Sequence, residues 1–224
     1  MKYDKLKEIK DIKYKVVSLG HNCLPRTVLT RWGVKPEKSE GELSMPFDLA
    51  TFETFEITKQ IKEDFATFFE DIEYKKPKSW FDRKQHWIKA PDCIEFVHEK
   101  NLTKNDKNKL IDIYTKRIDN FRNCIKSQTP ILFVQLLGDC DDTLNLYTIL
   151  KEKRGDLPFK FAVIDPFSIT KQNELPLHIL KTPYPDKKYQ NLWWSKQYYT
   201  SVAGHLYEKE IADFCIEIIK TFKP

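Results

Sequence analysis

The sequence predicts an α/β fold with a mostly parallel central sheet flanked by helices, in a single domain over residues 1–224 whose first 13 residues are a charged leader. Two observations carry this. Pro130–Leu137 and Phe159–Ile164 are near-continuous apolar runs, the pattern of strands covered on both faces. Around them stand segments of helical spacing: Leu110, Tyr114, Ile118, Phe121 and Ile125 recur every three or four residues, and Tyr207, Ile211, Cys215, Ile218 and Phe222 form one stripe. Strands alternating with helices pair in parallel through right-handed crossovers, and a ligand crevice then opens outside their carboxyl ends.

In chain order, Tyr14–Gly20 reads as a β-branched strand ending at a glycine. Pro25 fits only the first turn of a helix, so the helix starts there with Asn22 or Cys23 at its cap and stops at Gly33. Val34–Leu43 is a polar loop. Phe55, Ile61, Phe65, Phe68 and Phe69 suggest a helix over about 55–70, and Lys75–Ala90, with Trp80, Phe81 and Trp87, reads as an irregular aromatic stretch of the kind that walls a pocket. Cys93–His98 alternates like a strand. A helix over about 142–153 follows the first apolar run, Asp165-Pro166 closes the second, and Leu177–Leu180 is a short fourth strand.

Composition removes several classes of function. At 41% hydrophobic and 13% aromatic the chain has too much apolar material for disorder. Lys and Arg total 38 against 33 Asp and Glu, a net charge of +5 spread along the chain, which gives no support for a nucleic-acid partner. No apolar stretch approaches the roughly 20 residues of a membrane span, and residues 1–15 lack the apolar centre of a secretory signal, so the expected location is cytoplasmic. The five cysteines, at 23, 93, 124, 140 and 215, contain no Cys-x-x-Cys pair and read as reduced thiols, mostly core fillers. Neither a dinucleotide fingerprint nor a phosphate loop is present, so no cofactor is expected. Gly138–Asp142 holds three acids and a thiol, but acids at a helix start answer the helix dipole, and no metal site is expected there. Trp193-Trp194 with Tyr198 and Tyr199 reads as packing before it reads as a stacking surface for a ligand.

Cys23 is the sharpest candidate for chemistry. A thiol at a strand-to-helix junction meets the positive end of the helix dipole and free backbone N–H groups, which favour the thiolate. The Gly20, His21 and Asn22 turn could also hold an oxyanion formed when that thiolate attacks a carbonyl. The competing reading is a cysteine that fills space behind the turn.

Ser18-Leu19-Gly20-x-x-Cys23, then Leu29, Gly33 and Ser44-x-Pro46-Phe47-Asp48, resembles the opening signature of the DUF1796 family, bacterial proteins described as papain-like cysteine peptidases. The resemblance continues through His98 after a strand and the Tyr114–Phe121 helix into Ile131–Val134, about two-thirds of the chain. Leu49 departs from the tryptophan usual after Pro-Phe-Asp. The resemblance implies a cysteine-centred site and, less directly, hydrolysis of a peptide or amide, since fold and reaction are separate matters. A thiol nucleophile needs a base and a group that orients the base. His98 matches the family's histidine. His205 is the rival, lying just before the last helix where α/β hydrolases of the Gly-Asp-Ser type place theirs. Asp48, from the family motif, and Asp165, at the end of a buried strand, compete as the orienting carboxylate. Two variants remain open beside peptide or amide hydrolysis: acyl transfer to a sugar hydroxyl in surface-polysaccharide assembly on such a scaffold, and a non-catalytic binding module in which Cys23 is structural.

Overall fold

The computed structural model describes residues 4–75, 86–89, 93–99, 101–136, 139–167 and 177–222. Trp80, Phe81 and Gly138, singled out in the sequence, lie outside them. Strands β1 (Lys15–Ser18), β6 (Ile131–Leu136), β7 (Phe159–Asp165) and β8 (His178–Lys181) form a parallel sheet in that order. A second, antiparallel sheet runs β2 (Thr51–Phe52), β5 (Ile94–Glu95), β4 (His86–Lys89), β3 (Ile72–Lys75). The helices are α1 (Leu24–Arg31), α2 (Thr54–Lys62), α3 (Lys107–Ile125), α4 (Cys140–Arg154), α5 (Lys187–Leu192), α6 (Lys196–Tyr199) and α7 (Val202–Lys220).

Period-two alternation sorts the parallel strands onto two cores. Val17, Phe133 and Phe161 share one register row and pack with Phe47, Phe52, Phe68 and Phe121 on the side of the second sheet, α2, α3 and α4. The neighbouring row, Val16, Leu132 and Lys160, turns Val16 and Leu132 to the opposite core, with Leu24 and Leu29 of α1 and Ile211 and Ile219 of α7. Covering on both faces is why β6 is apolar through all its length save Gln135, whose Nε2 donates to Thr54 Oγ1 at 3.0 Å. The buried Arg154 closes the end of the sheet away from the carboxyl termini: its guanidinium donates to the carbonyls of Ile125, Ser127 and Pro158, each at 2.7 Å, and of Thr129 at 3.4 Å.

The mostly parallel sheet and its flanking helices match the expectation from sequence, and three elements differ. The stretch read as irregular, Lys75–Ala90, holds β4, which pairs with β3 just before it and whose polar Lys89 and His86 are buried and so hide its strand character. Lys89 Nζ donates to the carbonyls of Thr67 and Glu70 at 2.6 and 3.0 Å, and His86 Nε2 lies 3.3 Å from Glu95 Oε2. Helix α2 stops at Lys62 because Asp64 and Phe65 take left-handed backbone conformations, and residues 63–71 form turns. Helix α4 begins at Cys140, two residues earlier than expected, because Asp139 caps it by accepting from the N–H groups of Asp141 and Asp142. Among the described residues no helix is long and apolar enough to cross a membrane.

Candidate active site

Chain direction leaves β1 at Gly20, whose φ of +25° is tolerated without a side chain; a Cβ there would meet the carbonyls of Phe47 and Ala50 at 3.4 and 3.9 Å. The following peptide, Gly20–His21, is cis, and the His21 carbonyl accepts from Phe52 N–H at 3.3 Å, so β2 lies against the turn. Cys23 takes the cap position of α1 without a capping bond of its own. Asn22 supplies one instead, its Oδ1 accepting from Leu24 N–H at 2.8 Å, and Pro25 follows within the first turn. Of the backbone donors at the start of α1, the Leu24 N–H is therefore taken and Pro25 has none. The Nδ2 end of Asn22 has no hydrogen-bond partner within the described chain.

His98 arrives from the other layer. It stands in the turn after β5, exposed to solvent, and its Nε2 lies 3.1 Å from the half-buried Cys23 Sγ across 75 residues of chain. This is hydrogen-bond reach for a thiol and an imidazole, in either direction of proton transfer. The other thiols differ from Cys23 in setting. Burial pushes Cys93 up to about 11 and Cys215 up to about 12, and raises Cys124. Cys140 is raised by burial and then by Asp139, Asp165 and Asp141 around it.

The two carboxylates occupy different places, and neither is seen to hold His98. Asp48 is fully buried beneath the Cys23 turn. Its Oδ2 accepts from Met45 N–H at 2.9 Å and lies 3.9 Å from Arg26 Nε, while Oδ1 is buried without a hydrogen bond. Burial raises this carboxyl above its ordinary range, with Lys35, the Met45 N–H and Arg26 acting against it. Asp165 ends β7, two strand positions from β1 and thus about 10 Å across the sheet. Its Oδ1 accepts from Phe167 N–H at 3.1 Å, and its charge bears on Cys140. His205 is likewise apart: its ring packs on Trp32 with centroids 4.8 Å apart, at the end of α1 opposite Cys23, a helix length of about 12 Å away.

Sequence reasoning missed two groups that the structure brings beneath the pair. Arg26, one helical turn after Cys23, reaches Asp48; the i, i+3 spacing from the thiol was the available signal. Lys35 is fully buried, donating to the Val16 carbonyl at 2.6 Å and to Glu42 Oε1 at 2.7 Å, and no sequence signal distinguishes it from a surface lysine. Among the described residues no group of three or more His, Cys, Asp or Glu side chains could hold a metal ion.

Searches of the curated proteins and of the solved structures found no match. Comparison with protein families matches residues 14–165, a span that opens one residue before β1, ends with the last residue of β7 and contains both Cys23 and His98. On that match the chain belongs to the family described as "Putative papain-like cysteine peptidase (DUF1796)".

Proposed function

We propose that this protein is a thiol-dependent acyl-transfer enzyme that hydrolyses a peptide or amide, with Cys23 as nucleophile and His98 as base. The observation that carries the reading is the 3.1 Å approach of Cys23 Sγ to His98 Nε2 at a solvent-accessible turn. His98 takes the thiol proton, and the sulfur attacks the substrate carbonyl carbon to give a tetrahedral oxyanion. That oxyanion falls to the Asn22 Nδ2 donor, held in place by the bond from Leu24 N–H to its Oδ1. The C–N bond breaks as the imidazolium returns its proton to the leaving amine, which leaves a thioester on Cys23. Water, deprotonated by His98, attacks the thioester carbonyl; the C–S bond breaks and the proton goes back to sulfur. Asp48, through Arg26 and the Met45 N–H, serves the geometry of the turn.

The test is acylation of the protein by p-nitrophenyl acetate, followed as release of nitrophenolate and located by peptide mass spectrometry. A burst whose acyl group sits on Cys23, abolished in Cys23→Ala and slowed in His98→Ala, is the expected result. Slow release without a Cys23 thioester, equal in both variants, would discard the reading in favour of a binding module. Adding alcohols or sugars beside water separates hydrolysis from transfer to a hydroxyl.

A further inference from the structure

Helix α3 carries a row of side chains that the chemistry above leaves unused. Tyr114, Arg117 and Phe121 fall three and four residues apart on its buried side, with Asn120 beside them. Arg117 Nη1 lies 2.8 Å from Glu99 Oε1, and both side chains are nearly buried, at 12% and 13% exposure. Glu99 is the residue after His98. The Arg117 guanidinium also stacks over the Tyr114 ring at 4.6 Å, and that ring meets Phe96 edge-on at 4.7 Å. The turn bearing His98 is therefore gripped on both sides, by Phe96 on Tyr114 and by Glu99 on Arg117. Farther along the same helix, Asn120 Nδ2 donates to the Ser44 carbonyl at 3.0 Å and Phe121 meets Phe47 edge-on at 5.3 Å, so α3 also seats the Ser44–Asp48 turn beneath Cys23.

A surface ion pair contributes little because its long side chains are solvated and mobile. This one is different in setting: the guanidinium is sandwiched between an aromatic face and a carboxylate, and burial raises the Tyr114 hydroxyl, which has Arg117, Glu99 and Asp48 as its charged neighbours. We propose that Arg117 and Glu99 are positioning residues for the proton transfer: their pair, backed by Tyr114, fixes the 96–99 turn on α3 so that His98 Nε2 stands at Cys23 Sγ. The inference rests on the nucleophile-and-base reading given above. Neither residue touches the reacting atoms; both act through His98.

The test compares the rate of Cys23 alkylation by iodoacetamide at pH 6 with that at pH 9.5, in the wild type, His98→Ala, Arg117→Met, Glu99→Gln and the charge exchange Glu99→Arg/Arg117→Glu. Thermal midpoints run alongside. At pH 6 reactivity needs a partner for the thiolate, whereas at pH 9.5 an unassisted thiol is ionised. Arg117→Met and Glu99→Gln should each lose about threefold or more at pH 6 with little change at pH 9.5, and the exchange should recover part of that loss, the remainder reflecting the lost stacking on Tyr114. A general packing defect would lower both rates together, and the charge exchange would not restore them; that result overturns the proposal. Wild-type ratios in both single variants, beside a clear loss in His98→Ala, overturn it as well and leave the nucleophile-and-base reading intact. If the wild type and His98→Ala already share one ratio, the underlying reading fails and takes the positioning role with it. Should Arg117→Met not fold, Glu99→Gln and Arg117→Lys decide the matter.

Discussion

His98→Ala probes the site at its shortest contact. Two unit charges 3.1 Å apart attract by about 1.3 kcal/mol in water and about 5 kcal/mol at an effective dielectric of 20. At about 1.4 kcal/mol per pH unit, removing the imidazolium should displace the alkylation profile of Cys23 upward by about one to four units, nearer one because His98 is exposed. Rate does not follow thiolate fraction alone, since a more acidic thiol gives a weaker nucleophile. Weighing both, the variant should react about three- to twelvefold more slowly at pH 6, over the whole range of dielectric considered. By about pH 9.5 the difference should vanish or reverse, because the thiol is then ionised without help from the imidazolium. Competitive labelling with light and heavy iodoacetamide, read on the Cys23 peptide, measures this directly and separates it from the other four thiols, which burial raises. Greater access after truncation of the imidazole would multiply both rates equally, so the readout is the change in ratio between the two pH values. An unchanged ratio would refute the electrostatic pairing.

Three further outcomes follow from the geometry. His205→Ala should leave the Cys23 profile where it is in the wild type, because its ring rests on Trp32 at the far end of α1; a profile like that of His98→Ala would reassign the base. Since burial raises the Asp48 carboxyl, the folded state takes up a proton at a pH where the unfolded chain is still ionised. The wild type should therefore gain stability relative to Asp48→Asn as pH falls from 7 toward the unfolded-chain carboxylate range of about 3.9, which urea midpoints at pH 7 and pH 5 will check; a gap that moves the other way contradicts the burial argument. Gly204→Ala would put a Cβ 2.1 Å from the Tyr198 carbonyl oxygen and 2.8 Å from Tyr189 Cε2. That overpacking should cost about 1–3 kcal/mol and lower the thermal midpoint by about 2–12 °C, and an unchanged midpoint would show that the α6–α7 corner yields freely.

The parallel sheet was legible because its strands obey a simple rule: β6 and β7 are covered on both faces and so are written almost entirely in apolar residues. Helices α3 and α7 were legible for the same reason at a different period. The second sheet was legible only at β5, which lies within Cys93–His98; β2 is two residues long, and β4 buries a histidine against Glu95 and a lysine whose partners lie in a distant turn. Local rules also placed Cys23 at a helix start, through Pro25 and Asn22. What local rules cannot give is which histidine meets the thiol or what lies under it, because each depends on how the second layer docks on the first. His205 had a plausible place in the chain order and Asp165 a plausible place on the sheet, yet packing sends the first to Trp32 and sets the second by Cys140. Arg117 shows the reverse: an ordinary arginine in a charged helix acquires its setting only when Glu99 and Tyr114 close around it.

Because sulfur and imidazole come from different layers, 75 residues apart, the pair records whether the layers have met. Any fragment that ends before residue 98 carries the thiol without its partner, and one that ends before α3 lacks the helix on which the His98 turn is seated. On the nucleophile-and-base reading proposed above, Cys23 lacks its base during synthesis until the 96–99 turn has formed and seated on α3. On the proposed reading, the spacing would work as an internal delay that keeps an unfinished chain from acting on itself or its neighbours.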